Sequence, residues 1–247
     1  MVLHARDVAR ARERPRFVDY TIGREERSGD AIVAAGTYTE RVWYRERDGA
    51  ALARRIEGGV ASGPLLAERP TLDGDVDPGP PTADIFEAGG PPALATPAPS
   101  TETGLKVLAA VSVRGEFDYR AFADGDEAGA VRLRLEPRRD PERNRLRELW
   151  IDARNGNVLR LRMRDRIYFA TRASDVPGTF ECREGLANGV WSLVSVASVA
   201  DVSGAASGAA MPSVRYRFED VAFPASLPDW YFDAYTYAKH ARDAPNR

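Results

Sequence analysis

Apolar and polar residues alternate with a period of two along most of the second half of the chain. Val131, Leu133 and Leu135 alternate with Arg132, Arg134 and Glu136. Leu149 and Ile151 alternate with Glu148 and Asp152, with Trp150 on the second parity. Leu159, Leu161 and Met163 alternate with Arg160, Arg162 and Arg164, and Val214, Tyr216 and Phe218 with Arg215, Arg217 and Glu219. Successive strand side chains point to opposite faces, so the pattern predicts antiparallel strands with one dry face and one wet face. A slip of one residue would push arginines into the core, so the register is tightly set.

The first half carries the same signal in shorter pieces. Phe17, Val18, Tyr20 and Ile22 begin a strand, and a Ser28-Gly29-Asp30 turn leads to a β pattern over 32–47. There Tyr38, Val42 and Tyr44 share one parity, and Arg41, Trp43 and Arg45 the other. Asp48-Gly49 and Asn155-Gly156 are hairpin turn signals, the first returning through Leu52 to Ile56. Further strands are predicted over 105–119, bent at Gly115, over 179–183, and over 190–199, the last apolar or small on both parities and so buried on both faces. Residues 203–210 read as a loop. Helix is scarce: a short polar one over 5–14, stopped by Pro15, and one that Asp233 caps, running through Ala241. The fold class is therefore mainly β, a curved antiparallel sheet with a few short helices, built as one domain over 1–247.

Residues 58–103 break the pattern. They hold nine of the 17 prolines, with Gly, Asp, Ser and Thr between them. Such a long irregular stretch is either a surface insertion or a flap over a binding cavity, and Ile85 and Phe86 are the apolar residues that would anchor a lid.

Composition narrows the chemistry. A hydrophobic content of 43% supports a core, and a net charge of -2 gives no global field toward nucleic acid or anionic membrane. Between 131 and 172 basic residues exceed acidic ones by seven. They fall on the solvent parity, where Glu136, Glu148 and Asp152 face them from neighbouring strands, and no aromatic stacking set accompanies them, so no nucleic-acid partner is expected. Cys182 is the single cysteine, which excludes an intramolecular disulfide and a cysteine-based zinc site. His4 and His240 lie near the chain ends, a poor placement for Ser/His/Asp catalysis. Asp73, Asp75 and Asp77 lack the glycine and distal glutamate of a calcium loop and read as a solvated acidic loop. No glycine-rich phosphate loop follows a strand, and no run approaches the roughly 18 apolar residues of a membrane span. No metal, cofactor or catalytic group is expected. The first 16 residues are charged, without the apolar stretch of a secretory signal; the protein either stays in the cytoplasm or reaches the periplasm after losing an export segment.

What remains is a sheet with a large apolar face. Its candidate cavity-lining residues are Phe17, Tyr20, Val42, Tyr44, Leu149, Leu161, Met163, Tyr168 and Trp191. Core packing accounts for any one of them. Together they exceed what the scarce helix can cover, and an incompletely filled β-barrel is a cavity for an apolar ligand.

One stretch points to a family. Leu135-Glu136-Pro137, the charged loop after it, Leu149-Trp150-Ile151-Asp152, Asn155-Gly156 and the alternating strand that follows resemble the middle of bacterial outer-membrane lipoprotein carrier and lipoprotein-sorting proteins. The stretch from Gly36 to Arg45 resembles that family's first hairpin. The resemblance implies a half-open, unclosed β-barrel whose helices form a lid over an apolar cavity for acyl chains. Here the proline-rich 58–103 segment stands where those lid helices would be, and Arg41 is the position matched to a carrier's lid arginine. It implies a non-catalytic envelope protein whose partner is a lipid or the acyl chain of a lipoprotein. A related branch uses the fold in envelope sensors, which leaves open a protein-interaction scaffold with a filled core and an envelope protein as partner.

Overall fold

The computed structural model describes residues 1–59, 68–71, 81–82, 118–142, 144–167, 169–170, 176–199 and 212–240. Twelve strands form one antiparallel sheet: β1 (Phe17–Ser28), β2 (Ala31–Ile32), β3 (Tyr38–Arg45), β4 (Ala50–Gly58), β5 (Glu68–Thr71), β6 (Tyr119–Glu127), β7 (Ala130–Pro137), β8 (Leu146–Asp152), β9 (Val158–Ile167), β10 (Val176–Ala187), β11 (Val190–Val199) and β12 (Pro212–Ala222). Eleven lie in the order β5-β4-β3-β1-β12-β11-β10-β9-β8-β7-β6, and β2 pairs off this path with β1. Two meanders thus meet where β1 pairs with β12. The end strands β5 and β6 do not pair, so the barrel is unclosed. Register shifts in the β1–β12, β3–β4, β6–β7, β8–β9 and β10–β11 pairs are where such a sheet bends, because a bulge adds local twist.

Alternation decides which face each side chain takes. Val18, Tyr20 and Ile22 point inward from β1, Val42 and Tyr44 from β3, Leu149 and Ile151 from β8, Leu161 and Met163 from β9, and Tyr216 and Phe218 from β12. They form one buried cluster that also takes in Phe180 and Cys182 of β10 and Val196 of β11. Helix α1 (Val2–Arg10) sends Ala5 and Ala9, one turn apart, into the same cluster. It ends four residues earlier than the sequence suggests. Arg12 lies beyond it and bonds Glu184 at 3.0 Å and Asn157 at 3.2 Å, so the chain leaves the helix before Pro15 is reached. Gly156, at φ +76° in the β8–β9 turn, faces His4 and Val8 of α1; a side chain there would strike the His4 ring.

The outer face carries a second, smaller cluster. Trp43, Ala50 and Leu52 pack there against Tyr231, Phe232 and Tyr237, with Phe17, Leu227 and Trp230 beside them. The C-terminal segment makes this cover through a 3-10 turn (Asp229–Phe232) and helix α2 (Ala234–His240). Asp233 caps α2 as its sequence suggests, its Oδ1 accepting the Thr236 N–H at 3.0 Å.

Strand β11 departs from expectation. Leu193 and Val196 are buried but Val194 is 46% exposed, so the strand is not dry on both faces. The bulge opposite Arg183 and Glu184 changes the parity midway, which places small and apolar residues on both faces without burying both. Of the strand read over 105–119, only Tyr119 and the preceding Asp118 lie within the described residues.

At one end of the inner cluster sits a buried ion pair. Arg24 and Glu26 continue the inward parity of Tyr20 and Ile22, and their side chains are 2% and 0% exposed at a separation of 3.0 Å. Gly36 lies against both. An added Cβ would collide with the Glu26 carboxylate and the Arg24 guanidinium, neither of which can retreat into solvent. Gly36→Ala is therefore expected to cost about 1–3 kcal/mol. Gly23→Ala is the control, since its Cβ would meet nothing within 4 Å. Thermal unfolding of the two variants checks this, and equal midpoints would contradict the packing described.

Candidate functional site: an apolar inner face

The inner face brings together six of the nine cavity residues named from the sequence. Tyr20, Val42, Tyr44, Leu149, Leu161 and Met163 all belong to the inner cluster. Phe17 does not: its odd position in β1 turns it outward, where its ring stacks on Phe232 with centroids 6.3 Å apart. Trp191 is half-buried at the start of β11. Its indole N–H donates to the Val158 carbonyl at 3.2 Å, and the Arg12 guanidinium lies over its ring at 5.4 Å. Tyr168 and the lid candidates Ile85 and Phe86 lie outside the described residues.

This face offers little polar chemistry. Cys182 is fully buried, and burial, reinforced by Glu184, Glu181 and Asp165, pushes its thiol well above the ordinary range. A thiol held protonated is a poor nucleophile. Burial likewise raises the Tyr20 hydroxyl, with Tyr44 and Glu40 adding to the effect. Among the described residues no three His, Cys, Asp or Glu side chains form a group able to hold a metal, while Asp73, Asp75 and Asp77 lie outside them.

Among the described residues the most deeply buried ion pair is Arg24–Glu26, which the sequence reading missed; Arg12–Glu184 and Arg55–Glu40 also hold buried carboxylates. Arg24 donates through Nε to the Tyr216 hydroxyl at 3.2 Å and through Nη1 to the Gly36 carbonyl. Glu26 Oε2 also accepts the Ala170 N–H at 2.9 Å. Burial alone would lower the Arg24 pKa, but Tyr216, Tyr38 and Glu26 outweigh it and hold the value above the ordinary one, so the guanidinium stays charged. The available signal was two opposite charges on the parity of an apolar run.

The outer face is polar and electrically matched. Arg132 pairs with Glu148 at 2.8 Å, Arg160 with Glu127 at 2.6 Å, Arg162 with Glu181 at 3.0 Å, and Arg183 with Glu181 at 3.0 Å. Trp150 is buried on this face beneath Arg132, Arg160 and Arg162, and its indole N–H donates to Glu127 at 2.8 Å. Arg132, Arg160, Arg162 and Arg183 are thus engaged in intramolecular pairs. Arg41, matched in sequence to a lid arginine, also faces outward, with Nε 2.6 Å from Asp19 and Nη1 donating to Thr21. Around Gly23 the outer face holds a cleft of about 340 Å³ walled by Thr37, Thr39, Glu57, Arg215, Arg217 and Glu219. Its walls carry both signs of charge, and Tyr38, Gly23 and Gly58 give it apolar surface as well, so it is a mixed polar and apolar cleft.

A curved antiparallel sheet with unpaired ends, an apolar inner face and a charged outer face defines the class of unclosed β-barrels. Within that class the chain shares its fold with a solved lipoprotein-sorting domain. A domain assigned to outer membrane lipoprotein-sorting proteins from Vibrio parahaemolyticus superposes with a TM-score of 0.50 at 12% identity, over 94% of this chain and 95% of that one. A LolA superfamily protein from Nitrosomonas europaea gives 0.43 at 12% identity over 94% and 96%, and a DUF1329 family protein from Desulfovibrio piger 0.42 at 11% over 94% and 97%. At such identities the likeness is one of fold. No protein-family model matches the chain, and no curated protein matches it in sequence.

Proposed function

We propose that this protein is a non-catalytic, carrier-like protein of the bacterial cell envelope that binds a lipid or the acyl chain of a lipoprotein on its inner apolar face. The observation that carries the proposal is the continuity of that face, from Val42 and Tyr44 on β3 through Tyr20 on β1 to Leu149 on β8. An acyl chain needs apolar area and few hydrogen bonds, and this surface supplies that. The Vibrio domain, named for lipoprotein sorting, supports the reading through its fold. Tyr20, Val42, Tyr44, Leu149, Leu161 and Met163 are the contacts assigned to the ligand. Tyr168, Ile85 and Phe86 keep their sequence-based roles as cavity and lid residues. Among the described residues no helix is long and apolar enough to cross a membrane.

Native mass spectrometry of gently purified protein tests this. Co-purified lipid is expected, and after delipidation a fluorescent fatty acid should bind and be displaced by unlabelled phospholipid. Absence of both signals removes the carrier reading. One observation favours the alternative of an envelope sensor or interaction scaffold with a filled core: Tyr20, Leu149, Leu161, Met163 and Phe180 are all 0% exposed. On that reading the same experiment returns bare protein, and an envelope protein is recovered as partner instead.

A further inference from the structure

We infer that β6 is a self-complementary edge through which two copies of this chain pair, joining their sheets. Among the described residues it is the last strand of the sheet, bonded on one side to β7. Of its nine residues, only Tyr119 is buried; the eight from Arg120 to Glu127 are exposed whichever face they point to. An exposed edge of this length is uncommon, because free N–H and C=O groups recruit other strands. Natural edges are protected by shortness, proline, charged side chains or bulges; residues 119–123 of β6 have no proline or bulge, and Arg120 is their single charge. The β6 bulge, between Ala123 and Asp126, lies at the far end and leaves 119–123 in regular register.

The side chains point to one occupant, a second copy running antiparallel. With the two-fold axis at Phe122, Phe122 faces itself, Ala121 faces Ala123, and Arg120 faces Asp124 of the second copy. The symmetry makes each unlike pair occur twice. Arg120, Phe122 and Asp124 share one face and the two alanines the other, so both faces match at once. Phe122 is 39% exposed, with Arg134 lying 4.9 Å over its ring, and is the apolar centre of the contact. Arg120 and Asp124 flank it with opposite charges; Asp124 opens the bulge and lies 3.4 Å from Arg132 of its own chain, so the contact across the axis is shared with that pair. A contact of one strand edge falls short of the area of a standard interface, so the dimer is weak and exchanges with monomer.

Sedimentation velocity on the full chain, from about 10 μM to about 1 mM, should show a monomer–dimer equilibrium within that range. Arg120→Glu alone sets a glutamate against Asp124, and Asp124→Arg alone sets Arg120 against the new arginine; each should weaken the dimer about tenfold or more. The double swap R120E/D124R restores unlike pairs and should recover wild-type association. Both residues are exposed, and the Arg132 contact that Asp124→Arg gives up is a surface pair, so the folded monomer is expected to persist, as circular dichroism would verify. A monomer throughout the range overturns the inference, as does a dimer whose charge-swapped form fails to recover. Association seen only with a segment of another protein added likewise counts against self-pairing.

Discussion

Glu26→Leu is expected to lower the free energy of unfolding by about 3–5 kcal/mol. The substitution leaves Arg24 charged in a site where its side chain is 2% exposed. Tyr216 and the Gly36 carbonyl are among the groups that still accept from it, and neither of these two supplies a countercharge. The Ala170 N–H loses its acceptor at the same time. Urea unfolding followed by circular dichroism measures the effect. The companion experiment is the double variant Arg24→Met/Glu26→Leu. With both charges gone, neither member is buried without the other, and most of the loss should be recovered. If the single variant costs less than about 1 kcal/mol, the pair is solvated in solution and the buried geometry is not the one that holds β1 to its neighbours.

That pair also shows where sequence reading stops. Strands β7, β8, β9 and β12 were legible because each has one dry face and one wet face, and Val131 to Leu135 or Leu161 to Met163 writes that contrast into adjacent positions; Leu159, read with them, falls at a register shift where Val158 takes the inward place. The hairpins at Asp48-Gly49 and Asn155-Gly156 were legible because the turns need residues that tolerate positive φ. Asn188-Gly189, where both residues have positive φ between β10 and β11, carries the same signal and was overlooked beside a strand with apolar residues on both parities. Strand β6 left no periodic trace, since exposure on both faces removes the contrast that periodicity measures. Arg24 and Glu26 give no sequence signal of burial beyond their parity, because that burial depends on Tyr216, Gly36 and Ala170, which come from other parts of the chain.

The candidate site divides along the same line. Parity within a strand placed Tyr20, Val42, Tyr44, Leu149, Leu161 and Met163 on one face, and the sheet order brings them into one cluster. Phe17 shares their chemistry but not their parity, and a reading by apolar character alone overlooks that the C-terminal segment gives the outer face a cluster of its own. Trp150 is the mirror case. Its position among polar residues suggested exposure, yet three arginines cover its ring, because the guanidinium plane stacks on an indole as readily as it pairs with a carboxylate.

Leu161→Ala separates a binding surface from a plain core. Leu161 is fully buried on β9, between Leu149 of β8 and Cys182 of β10. Truncation removes apolar contact and leaves a cavity, so the delipidated variant should lose about 3–5 kcal/mol in a urea titration. If the inner face holds acyl chains, a fatty acid can occupy the space that the side chain vacated. Saturating ligand should then return more stability to the variant than to the wild type, since ligand that binds only the folded state stabilises it in proportion to its affinity. The fluorescent fatty acid should also bind the variant more tightly. Equal ligand effects on both proteins would mean that the chain sits elsewhere, and no effect on either would mean that the inner face is a packed core alone. The three outcomes differ because a cavity next to a ligand can be filled, whereas one sealed within side chains cannot.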